Sequence, residues 1–392
     1  MHENAIPDEQ AKPRVPLSEL AFVFLKLGTI AFGGPAAHLA MMEEEFVRRR
    51  GWITRDEFLD RVGAANLIPG PSSTEVAIFI GQSLRGWTGL IVAGTCFIVP
   101  AAVLVSFIAA GYVRYGALPR VAGILAAIKP AVIAIILQAL WKLAPSAAKT
   151  KTLAAIGVVA AALSFFEVGP LLVLGFAGAA SGILFWVKRA NRGHAAVIFT
   201  GWKGAWLVGI AMGGVAAVPA TAWRLFFSFL KIGSVVFGSG YVLLAFLRSE
   251  FVDRLHWLTE KQLIDAVAVG QFTPGPVFTT ATFIGYLVAG VQGAVIATVG
   301  IFLPGFLLVA VSGPLLPRIR RSAAAGAILD GVVVGSLALM AVVGWQLGRA
   351  SVISWFTLGI FLASAVAVMR FRVNSAWVVA GAAVLGWVGP RW

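Results

Sequence analysis

Two lysines stand where lysine is costly. Lys26 lies in the apolar run Phe24-Leu-Lys-Leu-Gly-Thr-Ile-Ala-Phe-Gly-Gly-Pro35, and Lys231 in its near copy Phe229-Leu-Lys-Ile-Gly-Ser-Val-Val-Phe-Gly-Ser-Gly240. An ammonium group in hydrocarbon costs about 3 kcal/mol or more, so a repeated one points to a task, and holding an anion is the simplest. Each run ends in a glycine-rich break, Gly33-Gly34-Pro35 or Gly238-Ser239-Gly240. Further on, Pro69-Gly70-Pro71 recurs as Pro274-Gly275-Pro276. Proline-glycine-proline ends one helix and starts another. Ser72, Ser73 and Thr74 open the new segment in the first copy, and Thr279 and Thr280 lie in it in the second. Hydroxyls and free backbone N–H groups at a helix start, with the positive dipole end behind them, suit an anion. Asn66 and Gln271, three residues ahead of each break, add amide donors.

Two further groups could move protons. Glu75 has Thr280 at its equivalent position, so an acid stands in one copy only. A lone intramembrane carboxylate can carry a proton, pair with a lysine or cap the helix. His38 sits one turn past the first break, with Leu243 as its counterpart, and suits a proton relay or an interface anchor. Blander readings stand beside these: lysines that snorkel to the headgroups, glycines that let helices pack closely, and hydroxyls bonded to their own backbone. Lys129 and Asp330 hold opposite charges at nearly equivalent places, which suggests a structural ion pair between them.

The elements that must position these residues are helices in a bilayer. The chain has 392 residues, 59% hydrophobic and 12% charged, the latter roughly half the share of a soluble domain. Apolar runs of about 20 residues recur along it, each long enough to cross a bilayer. They span 17–42, 62–84, 87–113, 121–143, 153–166 and 168–187, then 203–221, then 223–247, 267–286, a run around Pro304, 323–345, 352–368 and 373–390. A mixed-charge stretch, 43–61, reads as a helix lying at the interface with Trp52 at headgroup level. Residues 1–16 read as a disordered tail, 17–190 as a first repeat, 191–222 as a linker with an extra transmembrane helix, and 223–392 as a second repeat. The repeat offset is 205 positions, falling to 204 after the broken run.

These runs define an all-α polytopic membrane protein with two homologous halves and about 12–13 transmembrane helices, some broken at PGP. An odd number of crossings before the second half inserts it upside down, as an inverted-topology repeat. The distribution of Lys and Arg between connectors favours a cytoplasmic amino terminus. Whether the PGP segments span or re-enter is open. The net charge of +14 is scattered over short connectors, which fits topology and anionic lipid rather than nucleic acid. One cysteine, four unclustered histidines, and no nucleotide-binding or triad pattern argue against a metal centre, a cofactor or an enzyme. Transport, if it occurs, would be driven by a gradient.

The motifs Phe24-Leu-Lys-Leu-Gly with Phe32-Gly-Gly-Pro35, Gly51-Trp52 and Asn66-Leu-Ile-Pro-Gly-Pro71 resemble the chromate ion transporter family. Their recurrence at Lys231, Phe237-Gly238, Trp257 and Gln271-Phe-Thr-Pro-Gly-Pro276 resembles its long, two-domain members. The resemblance implies a bacterial inner-membrane protein that exports chromate with the proton motive force and confers chromate resistance. Chromate, a tetrahedral dianion like sulfate, is the substrate so implied. Sulfate, another oxyanion or a passive anion channel are the alternatives on the same fold, and a homodimer stays open.

Overall fold

The computed structural model describes residues 15–116, 118–190, 222–237 and 242–388. Positions 1–14 of the expected tail, the linker run at 203–221, and Gly238 with Ser239 and Gly240 lie outside the described residues. Every regular element among those described is helical. Five helical stretches are long and apolar enough to cross a membrane: Ser72–Tyr115, Val121–Ala147, Pro170–Arg189, Val277–Ser312 and Ala323–Ser351. The remaining apolar helices are short. Helix α1, Leu17–Ile30, has 14 residues, about 21 Å at 1.5 Å per residue, against roughly 30 Å of hydrocarbon. The apolar runs are therefore of two kinds, complete crossings and half-length pieces.

The half-length pieces follow from the breaks. α1 stops at Ala31, and Gly33 (φ 105°) turns the chain into α2, Gly34–Met42. α2 widens into a π-helical stretch, Glu43–Arg49. The stretch 43–61 is thus not one interfacial helix. Gly51, at φ 61°, turns the chain after the π-helical turns. Thr54 then starts α3, Arg55–Ala65, with a capping box to Glu57. α3 runs inward to Pro69-Gly70-Pro71, and α4, Ser72–Tyr115, leaves from there. Arg61 Nε donates to Ser83 Oγ at 3.2 Å, which lays α3 beside the first limb of α4. PGP is therefore the tip of a helical hairpin.

A second reversal follows. Arg85 (φ −141°, ψ 19°) and Gly86 (φ 60°, ψ −141°) turn the chain, and the long limb from Trp87 packs back on the short one. A Cβ on Gly81 would stand 2.3 Å from the Gly89 carbonyl oxygen. In one straight helix these two residues would lie about 12 Å apart. The limbs touch because neither residue has a side chain. Gly81→Val is accordingly expected to cost roughly 1–3 kcal/mol of stability, read as a lower melting temperature in detergent. An unchanged melting temperature would contradict the packing.

The remaining helices of the first half are α5, Pro119–Ala147, α6, Lys151–Phe165, and α7, Pro170–Ala190. The second half repeats the design. It has α8, Ala222–Val235, α9, Leu243–Leu247, a π-helical stretch, Arg248–Arg254, and α10, Glu260–Phe272. It continues with α11, Thr280–Arg321, α12, Ala323–Ser351, α13, Trp355–Met369, and α14, Ser375–Val388. α11 reverses at Ala289 and Gly290 with nearly the same dihedral angles as α4. Phe24, Phe46 and Trp52 pack as tilted rings at separations of 4.9 and 5.7 Å, and Phe229, Phe251 and Trp257 at 4.8 and 5.9 Å. The two halves are thus related in side-chain packing as well as in sequence.

They are also interlocked. α6 and α7 pack on α12 of the other half, while α13 and α14 pack on α5. The Gly94 Cα on the long limb of α4 abuts the Phe306 ring on α11, and the equivalent of Phe306 is Ala102. Parallel limbs would bring a residue to its own equivalent. An eight-residue displacement fits limbs that cross antiparallel, as in an inverted repeat.

Candidate functional site

The two hairpin tips meet the two broken helices of the opposite half. Gly70 N–H donates to the Val236 carbonyl at 2.7 Å, and Gly275 N–H donates to the Ala31 carbonyl at 2.9 Å. Gly275 and Val236 each lie 205 positions beyond Gly70 and Ala31. The bonds are therefore one contact made twice, related by the repeat. Each pairs an N–H freed by a PGP break with a carbonyl freed by the end of α1 or α8, as buried backbone requires. Gly28 sits where its own Cβ would strike the Phe97 carbonyl, and Gly275 where a Cβ would stand 2.6 Å from Ala101.

One side of this contact is polar. His38 is buried, with Nε2 3.0 Å from the Ala31 carbonyl and Nδ1 3.1 Å from Ser73 Oγ. A carbonyl can only accept, so Nε2 carries a proton, while Nδ1 shares a hydrogen bond with the Ser73 hydroxyl. His38 thus ties the end of α1 to the start of α4. Two residues on, Glu75 is fully buried, and neither carboxylate oxygen has a hydrogen-bond partner among the described residues. It packs against Gly70, whose missing Cβ leaves it room, and lies near Gly305 of the other half. Thr74 Oγ1 and Gln271 Nε2 are also buried without partners among the described residues. The tips thus hold two unbonded donors, one per half, and one unbonded acid. Gln271 borders a cavity of about 10 Å³ with Thr280, Val277 and Leu243, room for about one water.

The other residues singled out in the sequence divide. Ser72 is half-buried at the start of α4, and Asn66 is exposed at the end of α3. Thr279 and Thr280 bond their hydroxyls to the Pro276 and Val277 carbonyls. Gly34 takes a positive φ beside Gly33, with open space around it. Of the lysines, Lys231 is paired with a carboxylate. Lys231 Nζ lies 3.3 Å from Glu250, which is buried, accepts from Ser228 at 2.8 Å, and also pairs with Arg254. Lys26, on the exposed face of α1, acts on the equivalent Glu45. Burial alone would lift the Glu45 carboxyl, but the Arg50 hydrogen bond and the Arg49 and Lys26 charges outweigh it and hold it below its ordinary value. Among the described contacts, none brings either lysine to a hairpin tip. Glu45 recurs as Glu250 at the repeat offset, a signal the sequence did carry.

One expected pair is corrected. Lys129 and Asp330 do not bond each other. Lys129 Nζ lies 3.4 Å from Asp265, and Asp330 is 2.7 Å from Lys149. The interlock of the halves puts α10 against α5, which brings Asp265 rather than α12's acid to Lys129.

Two helical hairpins, tip to broken helix across an antiparallel pair of halves, define a multi-pass membrane protein of inverted-repeat design with a shared central contact. The chain belongs to the chromate transporter family, which matches it twice, over residues 18–183 and 223–387. It is 32% identical to the chromate transport protein of Cupriavidus metallidurans, over 96% of this chain and 94% of that one. It is 30% identical to the probable chromate transport protein of Synechococcus elongatus, over 86% of each. It is 27% identical to the chromate transport protein of Pseudomonas aeruginosa, over 97% and 94%. No solved structure matches it.

Proposed function

We propose that this chain is a secondary transporter that exports chromate across the bacterial inner membrane, driven by the proton motive force, and so confers chromate resistance. The observation that carries the reading is the set of unbonded polar groups at the hairpin tips. Thr74 and Gln271 offer donors to an oxyanion, and Glu75 is an acid with no competing partner among the described residues. The start of α4 directs its positive end to the same place. The names of the relatives supply chromate as the oxyanion.

Each group then has a part. The amide of Gln271, the hydroxyl of Thr74 and the backbone at the tips bind the dianion. Glu75 carries the coupled proton, and His38, hydrogen-bonded to Ser73 at the start of α4, is the neighbouring group that can take it up and release it. Lys26 and Lys231 flank the route, and Lys231 exchanges its Glu250 partner for the passing anion. The amino terminus is cytoplasmic, and the repeats meet at 191–222.

The test is chromate uptake into inverted vesicles, with and without a pH gradient. Accumulation that depends on the gradient and collapses with a protonophore is expected. Uptake that ignores the protonophore would make the protein a passive channel instead.

A further inference from the structure

The halves are related, yet they are not packed alike. Asp265 on α10 is fully buried, while its equivalent, Asp60 on α3, is exposed. Ile264 is 3% exposed and Leu59 is 52% exposed. All of α9 is buried, whereas Ala40, in the equivalent turn of α2, is exposed. The cause lies in what each hairpin touches. α10 packs on α5 and α14, and α9 on α12. Among the described residues, α3 packs on α4 and on the adjacent π-helical stretch, with no comparable seat on α12 or α7. One hairpin is docked against the long helices, and the other stands away.

A buried charged cluster sits in the docked seat. Tyr112 on the long limb of α4 donates to Asp265 Oδ2 at 2.9 Å. Lys129 on α5 approaches Asp265 Oδ1 at 3.4 Å. The Tyr112 ring also meets Phe283, on the outgoing limb of the same hairpin, edge to face at 5.3 Å. Both limbs of the second hairpin are thus held by residues of the first half. The undocked side has no copy of the cluster, since Leu316 stands for Tyr112 and Val333 for Lys129. A buried ion pair adds little net stability, and its best-attested use is to select one arrangement over another.

We propose that Lys129, Asp265 and Tyr112 are positioning residues that keep the second hairpin docked. In this scheme the two hairpins exchange their docked and undocked arrangements during transport. The repeat makes both arrangements available to the same scaffold, and the cluster sets the balance between them. This rests on the transporter reading given above.

The chain has a single cysteine, so Cys96→Ser gives a background for labelling. Asn66→Cys and Gln271→Cys then report the two hairpins to a membrane-impermeant maleimide, added to right-side-out and inverted vesicles. In the starting background, Asn66→Cys is expected to label from one face only and Gln271→Cys hardly at all. Asp265→Asn or Tyr112→Phe should speed labelling at Gln271→Cys about tenfold or more and slow it at Asn66→Cys. The exchange Lys129→Asp with Asp265→Lys should restore the starting pattern, which general loosening of the fold would not allow. Lys149→Met, which breaks an ion pair elsewhere between the halves, should change neither rate. Unchanged labelling in Asp265→Asn, or no labelling of Asn66→Cys from either face, would overturn the proposal. Shifted labelling with no chromate uptake in the starting background would keep the hairpin exchange and reject the substrate.

Discussion

Gly70→Ala is expected to abolish gradient-driven chromate uptake, and Gly275→Ala to do nearly the same. Gly70 has φ 136° and Gly275 φ 87°, a region that costs a residue with a side chain roughly 1–3 kcal/mol. The steric cost comes on top. A Cβ on Gly70 would lie 2.1 Å from Glu75 Oε1 and would push the buried acid out of its place. A Cβ on Gly275 would lie 2.6 Å from Ala101 of the other half. Relieving either clash moves a hairpin tip and stretches the reciprocal N–H to carbonyl bond. Misplacement of about 1 Å at a site can cost on the order of a hundredfold in rate. Gly86→Ala is the control. It too has positive φ, 60°, but a Cβ there meets nothing. It should lose roughly 1–3 kcal/mol of stability from the backbone alone and keep most of its transport. Uptake kept in Gly70→Ala at the level of Gly86→Ala and of the parent would show that the tip contact is dispensable.

The same contact shows how far the sequence could be read. The duplication is legible because Pro69-Gly70-Pro71 and Pro274-Gly275-Pro276 recur at one offset with their flanking motifs. That PGP breaks a helix follows from proline alone. That the tip meets the end of the other half's broken helix does not follow, because Ala31 and Val236 contribute only carbonyls and carry no side-chain signal. The reversal after the first hairpin is equally silent. Arg85-Gly86 and Ala289-Gly290 share a glycine, but glycines are frequent in such helices and only the tertiary fold singles these out. Thr74, Glu75 and Gln271 are visible as polar residues at a break, and the structure leaves atoms of each unbonded. The lysines are the loudest signal, yet Lys231 is paired with Glu250, and the charge of Lys26 acts on the equivalent Glu45. Asp265 reads in sequence only as the repeat of Asp60, since nothing there marks one copy as buried and the other as exposed.

Glu75→Gln should separate coupling from binding. Gln keeps the size of the side chain and cannot ionise. An ionised carboxylate sealed from water without donors costs several kcal/mol, so the site takes either a proton or a counter-charge. Neither Glu75 oxygen has a partner among the described residues, and Gly70 and Gly305 lie close beside the side chain. If the proton is the coupled ion, Gln mimics the loaded form permanently. The variant should then be at least as stable in detergent as the parent, because no bond is lost. It should still exchange chromate for chromate across the membrane, because Thr74 and Gln271 are untouched. It should fail to accumulate chromate against a gradient, whatever the pH difference. Glu75→Ala should fail in both assays, since it opens a cavity at the tip as well as removing the acid. Driven accumulation that survives in Glu75→Gln would remove Glu75 from the coupling step. His38 would then be the next buried ionisable group to test, because it bonds both the end of α1 and the start of α4.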